Sequence, residues 1–190
     1  MAPRFVIIGN GVAGATAART IARAHLGAEI EFYSAEPRHY YSQPGLWEFL
    51  AGEIQQEALY FYPPAWYEKR GIQVYLGSRV ARLAPAQREI TLADGTVVPY
   101  DRLLLAMGSQ PFVPPIQGVN QEGVFTLRTI EDAQAMEMYA QGARWAVAIG
   151  GGLLGLETAL ALRLLGLEVT VVELLAASCP ASSTRRARPC

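Results

Sequence analysis

Two stretches of the chain share one pattern of apolar and small residues. In "RFVIIGNGVAGATAARTIARAHLGAEIEFYSAEP" an unbroken apolar run, Phe5 to Ile8, leads into a glycine-spaced turn, an alanine-rich segment and a second run at Ile30 to Tyr33. The same order recurs from Ala146 in "AVAIGGGLLGLETALALRLLGLEVTVVEL". Unbroken apolar runs predict strands covered on both faces, as in a parallel sheet, and the alanine-rich intervals predict helices that lie close on them. Each stretch therefore predicts a βαβ unit, the first with its helix starting near Val12 and Gly27 as its stop.

The pattern between these stretches differs. Residues 37–70 are aromatic and irregular, with Pro63-Pro64 as a helix entry and Gly71 as its exit. The runs "IQVYLG", "RVARLAP", "REITLAD" and "VVPYDRLLLAMG" follow, separated by turn signals such as "ADGT". They predict an antiparallel meander ending in a buried strand. "PFVPPIQGVN" reads as an extended linker, and "TIEDAQAMEMYAQG" as a helix with acids in its first turn. The fold class expected is α/β: a Rossmann-like domain with a parallel sheet and an antiparallel meander, plus the first βαβ of a second Rossmann domain. The boundaries read as 1–113, a linker and helix at 114–144, a partial second domain at 145–175, and an aberrant tail at 176–190.

Composition narrows the class. Hydrophobic residues make up 51% of the 190 and charged residues 17%, a balance that suits a globular core and excludes disorder as the main state. A net charge of −1 gives no footprint for nucleic acid, since the one basic cluster is Arg185, Arg186 and Arg188 in the tail. Both cysteines, Cys179 and Cys190, also lie there, so the body carries no CxxC and no metal spacing. A cytoplasmic setting is expected. No signal-peptide series follows Met1, and the longest apolar region is interrupted by Glu157 and Arg163, so no membrane span is expected.

The turns carry the chemistry. "GNGVAG" places Gly9, Gly11 and Gly14, and "GGGLLG" places Gly150, Gly152 and Gly155, each after a strand and at the opening of a helix. In that context the first glycine makes the turn, the second admits a pyrophosphate to the backbone, and the third allows helix and strand to approach. The N–H groups and dipole of the helix start hold the anion. Two such turns in one chain point to dinucleotide binding. Glu173 stands 18 positions after Gly155, where a carboxylate accepts from a ribose 2′-OH and repels a 2′-phosphate, which favours NADH over NADPH. The first copy holds Ser34 at the matching place, with Glu36 two residues later.

With these two motifs and "YDRLLLAMGSQPFVPPIQG" between them, the chain resembles the FAD-dependent pyridine nucleotide-disulfide oxidoreductases over about residues 4–175. "YYSQPGLWEFLAGE" is most similar to the NAD(P)H-dependent rubredoxin, ferredoxin and nitrite reductase branch. The resemblance implies FAD at the first turn, on Gly9, Gly11, Val12, Ala13 and Gly14 at the pyrophosphate, with Ser34, Ala35 or Glu36 near the ribose, Val80 near the adenine, and Ala106, Met107 and Gly108 as the family's Ala-Thr-Gly turn. It implies Gln43 and Pro44 near the flavin. It implies NAD(P)H at the second turn, on Gly150, Gly152, Leu153, Leu154 and Gly155, with Glu157 as the catalytic candidate towards the nicotinamide. The reaction implied is hydride transfer from NAD(P)H to flavin, then electron transfer to a small carrier protein or a small-molecule acceptor. A non-catalytic module that holds FAD or another dinucleotide is the alternative.

Departures from the family pattern shape these expectations. Gln43 replaces an arginine, Met107 a threonine, and Glu48 stands where a lysine is frequent. No cysteine pair follows the first helix, which disfavours thiol chemistry. His25 and His39 read as structural. The aromatics Tyr40, Tyr41, Trp47, Phe49, Tyr60, Phe61, Tyr62 and Trp66 suit either a flavin wall or ordinary packing. The tail "ASCPASSTRRARPC" is compatible with a shifted reading frame, and a chain cut short there is expected to self-associate through the edge of its incomplete sheet.

Overall fold

The structure, a computed structural model, describes residues 2–24 and 27–173. His25, both cysteines and the tail read as a shifted frame lie outside the described residues. In chain order the first elements are β1 (Arg4–Ile8), α1 (Val12–Arg23), β2 (Glu29–Tyr33), α2 (Leu46–Leu50), α3 (Gln56–Leu59) and α4 (Pro64–Glu68). Then come β3 (Ile72–Tyr75), β4 (Val80–Ala84), β5 (Glu89–Leu92), β6 (Val97–Pro99) and β7 (Arg102–Leu105). The last are α5 (Ile130–Ala140), β8 (Trp145–Ile149), α6 (Leu153–Leu164) and β9 (Glu168–Val172). The chain divides into two compact units. The first takes residues up to Ser42 and Tyr60–Ser109; the second takes Gln43–Leu59 and the described residues from Gln110 on.

The first unit is built on a parallel sheet of order β3-β2-β1-β7. Alternation along β1 sends Ile7 to one face and Val6 and Ile8 to the other. Ile7 joins Ile30, Phe32 and Ile72 against Ala18 of α1 and Tyr67 of α4. Val6 and Ile8 join Tyr33 against Ile90, Leu92 and Val98 of the antiparallel sheet β4-β5-β6. A helix layer, a parallel sheet and an antiparallel sheet thus share this unit.

The predicted meander is corrected at both ends. "IQVYLG" is a parallel strand, with Ile30 beside Ile72 and Phe32 beside Val74. The reason lies in its connection: α4, entered at Pro63-Pro64, makes a helical crossover, and a crossover returns the chain parallel. The strand predicted as buried, β7, is also parallel, beside β1. It forms an outer edge among the described strands, and Leu104 and Leu105 are 38% and 50% exposed.

In the second unit α2 joins α5 and α6. Leu50, Ala133, Met136, Ala161 and Leu162 form the buried core, with Trp47 and Phe49 packed on it. Residues 43–59, which the sequence reading keeps within 1–113, therefore cluster with the later chain. Helix α5 begins in a capping box: Thr129 accepts from the Asp132 N–H at 3.1 Å, and Asp132 accepts from the Thr129 N–H at 2.9 Å. Strands β8 and β9 pair in parallel, Trp145 beside Glu168 and Ile149 beside Val172.

Candidate functional site

The two glycine turns share their anchoring bonds and cap geometry. The Gly9 N–H donates to the Tyr33 carbonyl at 2.9 Å and the Gly150 N–H to the Val172 carbonyl at 2.8 Å, so each turn is tied to the end of its unit's second strand. Gly9 has φ +103° and Gly150 φ +109°, a region open to glycine and strained for other residues. Gly11 and Gly152 are the N-caps of α1 and α6, and neither helix has a side-chain cap. The first N–H groups of both helices are thus left to an incoming anion.

The glycines divide by what surrounds them. A Cβ on Gly14 would strike the Gly9 carbonyl oxygen and come within 3.0 Å of Phe32 Cε1; a Cβ on Gly155 would strike the Gly150 carbonyl oxygen. A Cβ on Gly11 or Gly152 would meet nothing within 4 Å. The third glycine of each set is required by packing, whereas the second borders open space. That division is what a pyrophosphate needs, because it must approach the second glycine's backbone. Both turns therefore fit a dinucleotide.

The turns differ in what lies against their first glycines. A Cβ on Gly9 would strike the Ala106 carbonyl oxygen and lie 3.0 Å from Met107 Cα, while one on Gly150 would meet nothing within 4 Å. The first turn has β7 and the segment after it as a third wall, tied by the Ala106 N–H to the Ile8 carbonyl at 2.8 Å. Met107 is 66% exposed and Gly108 has φ +69°.

The ribose candidates sit beside the turns. Ser34 is buried, and its Oγ accepts from the Glu36 N–H at 3.2 Å, so its hydroxyl is engaged within the loop. Glu36 is half-buried and accepts from the Tyr41 hydroxyl at 2.8 Å; Ala35 between them is exposed. The Ser78 N–H donates to the Ser34 carbonyl at 2.7 Å, which brings the approach to Val80 alongside this loop. At the second turn Glu173 accepts from the Gly151 N–H at 2.6 Å.

Gln43 and Pro44 belong to the second unit. With Leu46, Trp47, Leu127, Leu154, Glu157 and Thr158 they line a cleft of about 20 Å³, so two residues expected at the flavin and two expected at the nicotinamide nucleotide share one wall. Val12, Leu153 and Leu154, at the helix starts, are 62–68% exposed. The aromatic set divides in two: Tyr62 stacks on Trp66 at 3.9 Å and Tyr40 on Phe61 at 4.9 Å in the first unit, while Trp47 and Phe49 cover the core of the second.

Sequence reasoning missed two buried residues. Asn10 lies within the first turn at 9% exposure, and Tyr67 of α4 is 1% exposed. The Tyr67 hydroxyl donates to Asn10 Oδ1 at 3.4 Å, and burial holds the phenol above its ordinary pKa. The motif's variable position marked Asn10, but nothing local marked its partner 57 residues away.

Among the described residues no group of acids, histidines and cysteines is placed to hold a metal ion, and no helix is long and apolar enough to cross a membrane.

Comparison with known proteins supplies the wider context. The family model described as pyridine nucleotide-disulphide oxidoreductase matches residues 3–188. The chain is 37% identical over 172 residues to the nitrite reductase (NADH) large subunit of Escherichia coli, covering 90% of this chain and 20% of that protein. It is 37% identical over 174 residues to the biphenyl dioxygenase system ferredoxin–NAD(+) reductase component of Paraburkholderia xenovorans, covering 91% and 42%. The crystal structure of a covalent putidaredoxin reductase–putidaredoxin complex superposes with a TM-score of 0.85 at 28% identity, covering 96% of this chain and 45% of that one. The chain thus spans less than half the length of each.

Proposed function

Since the chain belongs to the pyridine nucleotide-disulphide oxidoreductase family, we propose that it is the dinucleotide-binding part of an FAD-dependent NAD(P)H oxidoreductase. The observation that carries this reading is the division of the glycines: in both turns the second faces open space and the third is closed by backbone.

Gly9, Gly11, Val12, Ala13 and Gly14 hold the FAD pyrophosphate on the start of α1. Ser34, Ala35 and Glu36 meet its ribose, Val80 its adenine through the backbone, and Ala106, Met107 and Gly108 bound the turn. Gly150, Gly152, Leu153, Leu154 and Gly155 hold the pyrophosphate of the nicotinamide nucleotide. Glu173 accepts from its ribose 2′-OH and opposes a 2′-phosphate, so NADH is favoured. Gln43, Pro44 and Glu157 serve the reacting end. When bound, the flavin supplies an acceptor for hydride and an exit for electrons.

The electron acceptor is a small carrier protein. The printed names of the relatives support this, since one is a ferredoxin–NAD(+) reductase component and another was crystallised with putidaredoxin. The cysteine-free body suits a reducing cytoplasm. The chain also self-associates through the edge strand at 168–172 of the β8-β9 sheet, where Val171 and Val172 are exposed. Sedimentation velocity tests that point: a concentration-independent monomer rules it out.

Calorimetry with ADP, FAD and FMN tests the main reading. ADP and FAD should bind and FMN should bind at least tenfold more weakly, because FMN lacks the pyrophosphate. FMN binding as tight as FAD would overturn it.

A further inference from the structure

The variable position of a glycine turn needs only a residue small enough to fit. Here it carries a carboxamide, buried, with Nδ2 lacking any partner among the described residues. A buried amide with one end unbonded is a poor choice for stability alone. Its bonded end leads to Tyr67, and Tyr67 reaches three separate parts of the first unit. Its hydroxyl donates to Asn10 Oδ1 at 3.4 Å. The Tyr40 backbone N–H, in the loop that follows β2, offsets part of the rise that burial causes in the phenol pKa of Tyr67. Its ring meets Phe32 edge-on at 6.3 Å, and Phe32 is the side chain that fills the space beside Gly14. His39, next to Tyr40, lies against the ring at 5.0 Å, and its buried Nδ1 likewise has no partner among the described residues. The loop after β2 also carries Glu36, braced by Tyr41.

We propose that Asn10 and Tyr67 are positioning residues for the dinucleotide at the first turn, with Tyr67 tying the pyrophosphate-holding turn, through its hydroxyl on Asn10, to the ribose-holding loop, through its ring against His39, so that both are set as one piece. This deepens the reading of the first turn as a dinucleotide site and rests on it. Neither residue touches the ligand: both are buried, Asn10 by the turn and Tyr67 beneath the loop. Their effect is on the spacing of two ligand-holding segments, so it is largest for a ligand that spans both.

The test is a double-mutant cycle read by calorimetry with ADP, using Tyr67→Phe, Asn10→Ala and the combined variant of the 190-residue chain. Tyr67→Phe keeps the ring and removes only the hydroxyl. Each single variant should weaken ADP about tenfold, the worth of one ordinary hydrogen bond, and the double variant should be no weaker than the weaker single one. Hydrogen exchange supplies a second readout: in Tyr67→Phe the Gly11 and Tyr40 amides should both exchange faster while those of β5 do not. Should Tyr67→Phe fail to fold, Asn10→Ala carries the same exchange test at Tyr40. Losses that multiply to about a hundredfold, unchanged ADP affinity, or faster exchange on one side alone would overturn the proposal. Failure of the unaltered chain to bind ADP would instead remove the dinucleotide reading beneath it.

Discussion

Glu173 Oε2 accepts the Gly151 N–H at 2.6 Å, so the acid at the end of β9 is held by the turn at the end of β8. This bond holds the carboxylate beside the place proposed for a ribose, and substitution can tell its two roles apart. Glu173→Gln keeps an acceptor and removes the charge: NADH affinity should hold within about threefold while NADPH affinity rises. Glu173→Ala removes both and should weaken NADH about tenfold. Nucleotide titrations monitored by intrinsic fluorescence check both.

Gly11 and Gly14 should answer substitution in opposite ways. Gly11 is an extended N-cap with open space beside it, and serine is a preferred N-cap residue. Gly11→Ser should leave urea stability within about 0.5 kcal/mol and abolish ADP binding. Gly14→Ala would drive a methyl into the Gly9 carbonyl oxygen and should cost about 1–3 kcal/mol. Paired unfolding curves and ADP titrations separate the two effects.

Thr129→Ala breaks the capping box of α5 and should lower the stability of the second unit by about 1 kcal/mol. Asp132→Ala removes the reciprocal half and should cost a similar amount, with the pair less than additive because one motif is lost once. ADP binding at the first turn should not change. Urea denaturation followed through Trp47 fluorescence reads the loss.

Burial lowers the His39 pKa below its ordinary 6.5. The unfolded chain therefore takes up this proton before the folded one does. His39 costs nothing above pH 6.5, and its contribution declines as pH falls from there through the lowered folded value. His39→Gln should flatten the stability profile in that window alone, which thermal melts at successive pH values would show.

Much of the fold was legible because its signals are local. The apolar runs marked β1, β2, β8 and β9, and the glycine spacing marked both turns, since a turn's demand on φ and on missing side chains falls on neighbouring residues. Thr129 and the acids after it marked the start of α5. What depended on distant partners was not legible. Nothing in "IQVYLG" says that Ile72 lies beside Ile30 in a parallel sheet. Nothing in "LWEFL" says that Leu50 buries itself with Ala133 and Ala161. Asn10 and Tyr67 meet only because α4 crosses back over the sheet, and Gln43 and Glu157 line one cleft only because α2 packs with α6.

The third wall of the first turn has a consequence for synthesis. Gly9 is closed by Ala106, delivered by a strand whose residues 102–105 pair with residues 5–8. On a ribosome, β1, α1 and β2 emerge early, yet their turn stays open on one side until some hundred residues later. A nascent chain caught before that point carries the glycine motif but an unfinished pocket. A nucleotide held at this turn would therefore find its site complete only once Ala106 has arrived, and until then the early βαβ unit stands with its β7-facing edge bare.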